Sequence, residues 1–149
     1  MMKKIFVILF FLTSCGYQPL YLNNNLKKNE FQKIVLKGDN EINRKIINRL
    51  QIKENEFNEE LNELLINSLY NVSETSKNSK GIVETYRSKI TVLVNIEKDK
   101  KTIKSKEFSK DFSYSNRDNK FELVQYQNKI KSNLIDKSIE EINLYLNIE

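Results

Sequence analysis

Hydrophobic and polar positions alternate most cleanly in the middle of the chain. Tyr86, Ser88, Ile90, Val92, Val94 and Ile96 share one parity, and Arg87, Lys89, Thr91, Leu93, Asn95 and Glu97 the other. This period of two predicts a long strand buried on one face. Lys98-Asp99-Lys100-Lys101 reads as a charged turn, and Thr102–Ser115 as a second strand that closes a hairpin. Phe108, Phe112 and Tyr114 lie on one face of that strand and are expected in the core, with Lys104, Lys106 and Lys110 sharing their parity. The pattern breaks at 115–119. From Phe121 to about Leu146 the period becomes helical, with an apolar stripe of Leu123, Tyr126, Ile130, Leu134, Ile135, Ile139, Ile142 and Leu146.

Towards the N-terminus, Phe31–Lys37 is a short β-like run ended by Gly38-Asp39-Asn40. Asp39 or Asn40 is a suitable N-cap for a helix over Glu41–Gln51, which presents Ile42, Ile46, Ile47 and Leu50 on one face and Arg44, Lys45 and Arg49 elsewhere. Residues 53–60 are acidic and Asn-rich and read as an exposed connection. Residues 61–75 fit two patterns. Leu61, Leu64, Leu65 and Leu69 suit a helix; Leu64, Ile66, Ser68, Tyr70 and Val72 suit a strand. The pattern leaves both open. The elements add up to a single α/β domain with no internal repeat.

Composition narrows the function. The 149 residues suffice for one domain. There is no histidine, which removes Ser-His and Cys-His catalysis and imidazole metal sites. One cysteine leaves no intrachain disulfide and no Cys-cluster zinc site. The adjacent pairs Glu59-Glu60 and Glu140-Glu141 point apart rather than into a shared cleft. A non-enzyme without cofactor or metal is expected. The net charge of +5 favours an anionic partner.

The first residues read as an address. Met1-Met2-Lys3-Lys4 precedes eight apolar residues, Ile5–Leu12, and then Thr13-Ser14-Cys15-Gly16. As a helix the apolar run spans only about 12 Å against a bilayer core of about 30 Å, so it fits the h-region of a signal peptide. Leu12-Thr13-Ser14-Cys15 resembles the bacterial lipobox. That resemblance implies a signal peptide over 1–14, lipidation of Cys15, and a membrane anchor through the N-terminal lipid. Two or more acyl chains hold a protein stably where one is marginal. Gly16, rather than Asp, after the cysteine implies delivery to the periplasmic face of the outer membrane. Loss of Lys3 and Lys4 with the signal lowers the net charge of +5 by two. Residues 15–30, with Tyr17, Tyr21 and an Asn run at 23–25, are expected to be a lipidated tether, and 31–149 the folded domain.

Cys15-Gly16-Tyr17-Gln18-Pro19-Leu20-Tyr21 resembles the mature start of the alphaproteobacterial lipopolysaccharide-assembly lipoproteins, the small subunit of the outer-membrane lipopolysaccharide translocon. The element order, including a strand opening Tyr86-Arg87 and a long final helix, is similar along most of the chain. The resemblance implies an α+β fold, two helices packed on one face of a four-stranded mixed β-sheet, with residues 61–75 as the second strand. It implies a domain that plugs a large outer-membrane β-barrel, helps assemble it, and binds lipopolysaccharide during export, with no reaction catalysed. Lysine suits phosphate as a point charge and arginine as a fork. Lys98, Lys100, Lys101, Lys104 and Lys106, with Arg87, are therefore the candidate lipopolysaccharide-binding residues. The plainer reading is that these lysines solubilise the hairpin and blunt its edge. The export signal argues against a nucleic-acid partner. The alternative class is another outer-membrane lipoprotein acting as a structural or barrel-assembly accessory subunit.

Overall fold

The computed structural model describes residues 29–147. The run at 31–37 is split. β1 (Glu30–Phe31) belongs to a two-stranded parallel sheet with β3 (Lys53–Glu54), so the expected exposed connection at 53–60 contains two paired residues. Asn29 and Glu30, assigned to the tether by pattern, are held. The Asn29 side-chain amide donates to the Leu50 carbonyl at 2.6 Å, and Glu30 pairs with Lys53.

β2 (Lys33–Gly38) turns into α1 (Asn40–Leu50) through Gly38 and Asp39. Asp39 is the N-cap; its Oδ1 accepts from the Glu41 and Ile42 N–H groups at 2.9 and 3.1 Å. Gly38 sits at φ +84°, and a Cβ there would lie 1.8 Å from the Ser68 carbonyl oxygen. Only glycine fits. The same corner holds a buried polar cluster: Asn43 donates to the Lys37 carbonyl at 2.9 Å, and the Ser68 hydroxyl donates to Asn43 Oδ1 at 2.8 Å.

β4 (Glu63–Lys77), β5 (Val83–Lys98) and β6 (Lys101–Ser115) follow, and α2 (Lys120–Asn147) closes the chain. Asn119 caps α2 by accepting from the Phe121 N–H at 2.9 Å. The main sheet has the order β2-β4-β5-β6, parallel at β2/β4 and antiparallel elsewhere. The ambiguous segment is therefore a strand. It is hydrogen-bonded on both sides over 63–68, which satisfies backbone groups between two partners.

Both helices pack on one face of this four-stranded mixed sheet, an α+β architecture. Ile42, Ile46 and Leu50 of α1 and Ile130, Leu134, Ile135, Ile139 and Ile142 of α2 cover Leu64, Ile66, Ile90, Val92, Val94, Phe108 and Tyr114. Phe112 departs from the expected core. It is 48% exposed although it shares the parity of Phe108 and Tyr114. Tyr114 meets Tyr126 edge-on at 5.7 Å and Phe108 meets Tyr145 at 5.6 Å, so α2 closes on β6 at both of those points. Phe112 lies between them on β6, an edge strand among the described residues, beside an open groove.

Candidate functional site

The hairpin turn is built from Asp99 and Lys100, both left-handed, at φ 51° and 63°. Two consecutive positive φ values match the right-handed twist of the flanking strands, the reason two-residue hairpins favour such turns. Lys98 and Lys101 pair directly across it. Their like charges oppose each other. Lys98 turns away, and its ammonium donates to the carbonyls of Glu59 at 2.7 Å and Leu61 at 3.3 Å. It thereby pins the loop between β3 and β4, which carries Glu56, Glu59 and Glu60 and an almost fully exposed Phe57.

The candidate residues fall into three places. Lys98, Lys100 and Lys101 are at the turn. Lys104 and Lys106 lie further along β6 on the helix-bearing face, opposite Ile96 and Val94. The Lys106 ammonium stands 5.1 Å from the Phe108 ring centre and 5.6 Å from that of Tyr145, a cation held over aromatic faces. Arg87 is eleven residues back along β5, about 36 Å from Lys98. It lies on the opposite sheet face, where its Nε donates to the Ser113 hydroxyl at 3.1 Å and lies 3.6 Å from the Asp111 carboxylate. The turn is thus a mixed-charge surface, with lysines beside Glu97, Asp99 and the acidic loop. Cys15, Tyr17, Tyr21 and the signal segment lie outside the described residues.

Pattern reading missed a second polar centre. Lys131 of α2 reaches Glu41 at 2.7 Å and Asp39 at 3.2 Å, and its ammonium stands 5.0 Å from the Tyr70 ring centre. Burial pushes the Asp39 carboxyl up, but the Ile42 N–H, the Lys131 ammonium and the Glu41 N–H together hold it below its ordinary value. Lys131 and Lys45 hold Glu41 low as well. Burial works against the Lys131 charge, and its two carboxylate partners outweigh that and raise it. Beneath, the hydroxyls of Tyr70, Ser88 and Tyr114 form a chain at 3.0 and 3.2 Å, and burial raises Tyr70. The signal for Lys131 was absent from local pattern because its partners are 90 and 92 residues away.

Among the described residues, no helix packs on the other sheet face. Val35, Leu65 and Leu93 are half-buried there and Leu69 is 65% exposed. Among the described residues no group of three His, Cys, Asp or Glu side chains is placed to hold a metal ion, and no helix is long and apolar enough to cross a membrane.

Two helices on one face of a β2-β4-β5-β6 mixed sheet define a small two-layer α+β domain. The same fold occurs in solved bacterial lipoproteins. A minor lipoprotein from Acinetobacter baumannii is 14% identical and aligns over 78% of this chain and 90% of its own, with a TM-score of 0.53. Lipoprotein B from Nitrosomonas europaea is 8% identical over 77% and 83%, with a TM-score of 0.52. Rare lipoprotein B from Shewanella oneidensis aligns at 16% identity over 78% and 99%, with a TM-score of 0.48. At these identities the likeness to the first two is one of fold. No protein-family model and no curated protein sequence matches the chain.

Proposed function

We propose that this chain is an outer-membrane lipoprotein, anchored on the periplasmic face through Cys15, that plugs and helps assemble a large β-barrel lipopolysaccharide translocon and binds lipopolysaccharide during export. The observation that carries the reading is the Cys-Gly-Tyr-Gln-Pro-Leu-Tyr string at 15–21, ahead of a domain whose fold recurs in bacterial lipoproteins. The sheet face opposite α1 and α2 and the lysines of the hairpin suit a subunit that holds a protein and an anionic lipid by shape and charge. It needs no reaction to do so.

Affinity purification of the tagged, detergent-solubilised full chain tests class and partner together. A large β-barrel protein is expected in the eluate, and its absence sinks the plug. Cys15→Ala is expected to leave the outer-membrane fraction; if it stays there, the anchor is wrong. Lys100→Glu, Lys101→Glu and Lys104→Glu combined leave Lys98 to pin its loop. This variant is expected to lose lipopolysaccharide affinity, and unchanged affinity removes the hairpin from the binding surface.

A further inference from the structure

The gap where α2 stands off β6 is a groove of about 500 Å³, within the range of small-ligand sites. Its floor is apolar. Phe112 contributes from β6, and Tyr126, Ile130 and Leu134 from α2. The last three are spaced four apart, so they form one row about 12 Å long. Beside it runs a second row at the same spacing, Lys129, Asn133 and Lys137, which also lines the groove.

The charges in this region are unequal in their availability. Asp136 lines the groove too, but its carboxylate lies 3.6 Å from the Arg49 guanidinium. Lys110 is engaged by Glu141, and Lys131 by Asp39 and Glu41. Arg117 lies over the Tyr126 ring at 4.3 Å and pairs with Glu122. Lys129 and Lys137 are exposed and make no ion pair with any of the described residues. An apolar row flanked by two uncommitted cations is complementary to a molecule with a greasy chain and an anionic end.

We propose that the β6–α2 groove binds an anionic amphiphile, an acyl chain adjoining a phosphate. The chain lies along Phe112, Tyr126, Ile130 and Leu134, and the phosphate between Lys129 and Lys137, with the Asn133 amide as a further donor. The site is separate from the hairpin lysines and needs no barrel. Its failure and the failure of the plug reading are therefore distinguishable: one is read by lipid titration, the other by co-purification.

The chain has no tryptophan, so Phe112→Trp places a single fluorophore in the groove wall. The full chain in phosphatidylcholine nanodiscs is titrated with octyl phosphate. A saturable blue shift of the Trp emission is expected. Adding Lys129→Gln and Lys137→Gln, both solvent-facing changes, is expected to raise the half-saturating concentration at least about tenfold. Octyl glucoside and inorganic phosphate are expected to give no saturation over the same range. An unchanged titration in the double variant, or octyl glucoside matching octyl phosphate, overturns the proposal. Methyl resonances read the same titration with Phe112 intact. Shifts at Ile130 and Leu134 support the site, and shifts confined to 98–101 overturn it. Phosphatidylglycerol nanodiscs and lipopolysaccharide added to phosphatidylcholine nanodiscs separate the two carriers of this chemistry. A response to either supports the site and names its source, and silence in both overturns it.

Discussion

Lys131 joins the two helices through the N-cap of the first. Asp39 uses one oxygen to cap α1 and the other to meet Lys131. Both Asp39 and Glu41 are held below their ordinary values in the folded state. A depressed carboxyl lends its stability in full above the unfolded value, at about pH 4–5, and loses it as pH falls through the folded value. Lys131→Met keeps the aliphatic stem over Tyr70 and removes the charge. It is expected to cost about 1–2 kcal/mol at pH 7. It should also flatten the acid-side loss of stability, as measured by urea titration across pH 3–7. An acid limb as steep as in the parent protein would place the titrating groups elsewhere. The two β6 phenylalanines make a contrasting pair. Phe108, at 2% exposure, is expected to cost about 3–5 kcal/mol when cut to Ala. Phe112→Ala is expected to stay near 1 kcal/mol, because solvent already reaches it. Parity placed both on one face correctly. It could not separate them, because their burial depends on where α2 crosses β6, a tertiary fact with no local signature.

Among the elements, the two tight corners are under different control. At the β2–α1 corner Gly38 is dictated by sterics, and Gly38→Ala is expected to cost about 3–5 kcal/mol through its positive φ and its overlap with the Ser68 carbonyl. At the β5–β6 turn the left-handed Lys100 is strained. Lys100→Gly is expected to stabilise the domain by about 1 kcal/mol, read as a rise in the thermal midpoint. No rise would mean that the turn relaxes without glycine. The hairpin itself was legible because alternation over 86–97 is long and unbroken, and α2 because its stripe runs over many turns. Residues 61–75 were not. Leu61, Leu64, Leu65 and Leu69 mimic a helical face, and only pairing with β2 and β5 settles the strand, leaving Leu69 exposed. The β1/β3 pair was invisible for a similar reason: two residues on each side carry no period.

At the scale of the whole molecule, the site reading divides by range. The string at 15–21 and the hairpin lysines are contiguous, so sequence alone displays them. Lys98 being spent on carbonyls 37 and 39 residues away, and the groove shared by β6 and α2, arise only on folding. The topology also leaves an asymmetry that sequence did not announce. β2 pairs with β4 over Glu63–Ser68, so among the described residues β4 is an open edge from Leu69 onward. The Ser68 carbonyl still accepts from the Asp39 N–H. Residues of the same parity, Tyr70 and Val72, therefore turn their backbone N–H groups outward, with no strand of the described residues beyond them. Asn71 and Ser73 turn theirs towards β5. Hydrogen exchange on the free chain is expected to be at least about tenfold faster at Tyr70 and Val72 than at Asn71 and Ser73. Equal protection along 70–73 would mean that the edge is covered. Repeating the exchange on the affinity-purified complex tests the proposed partner on the same residues. New protection confined to the sheet face opposite α1 and α2 and to this edge fits a barrel wall lying against that side. New protection confined to α1 and α2 would turn the domain around and overturn that arrangement.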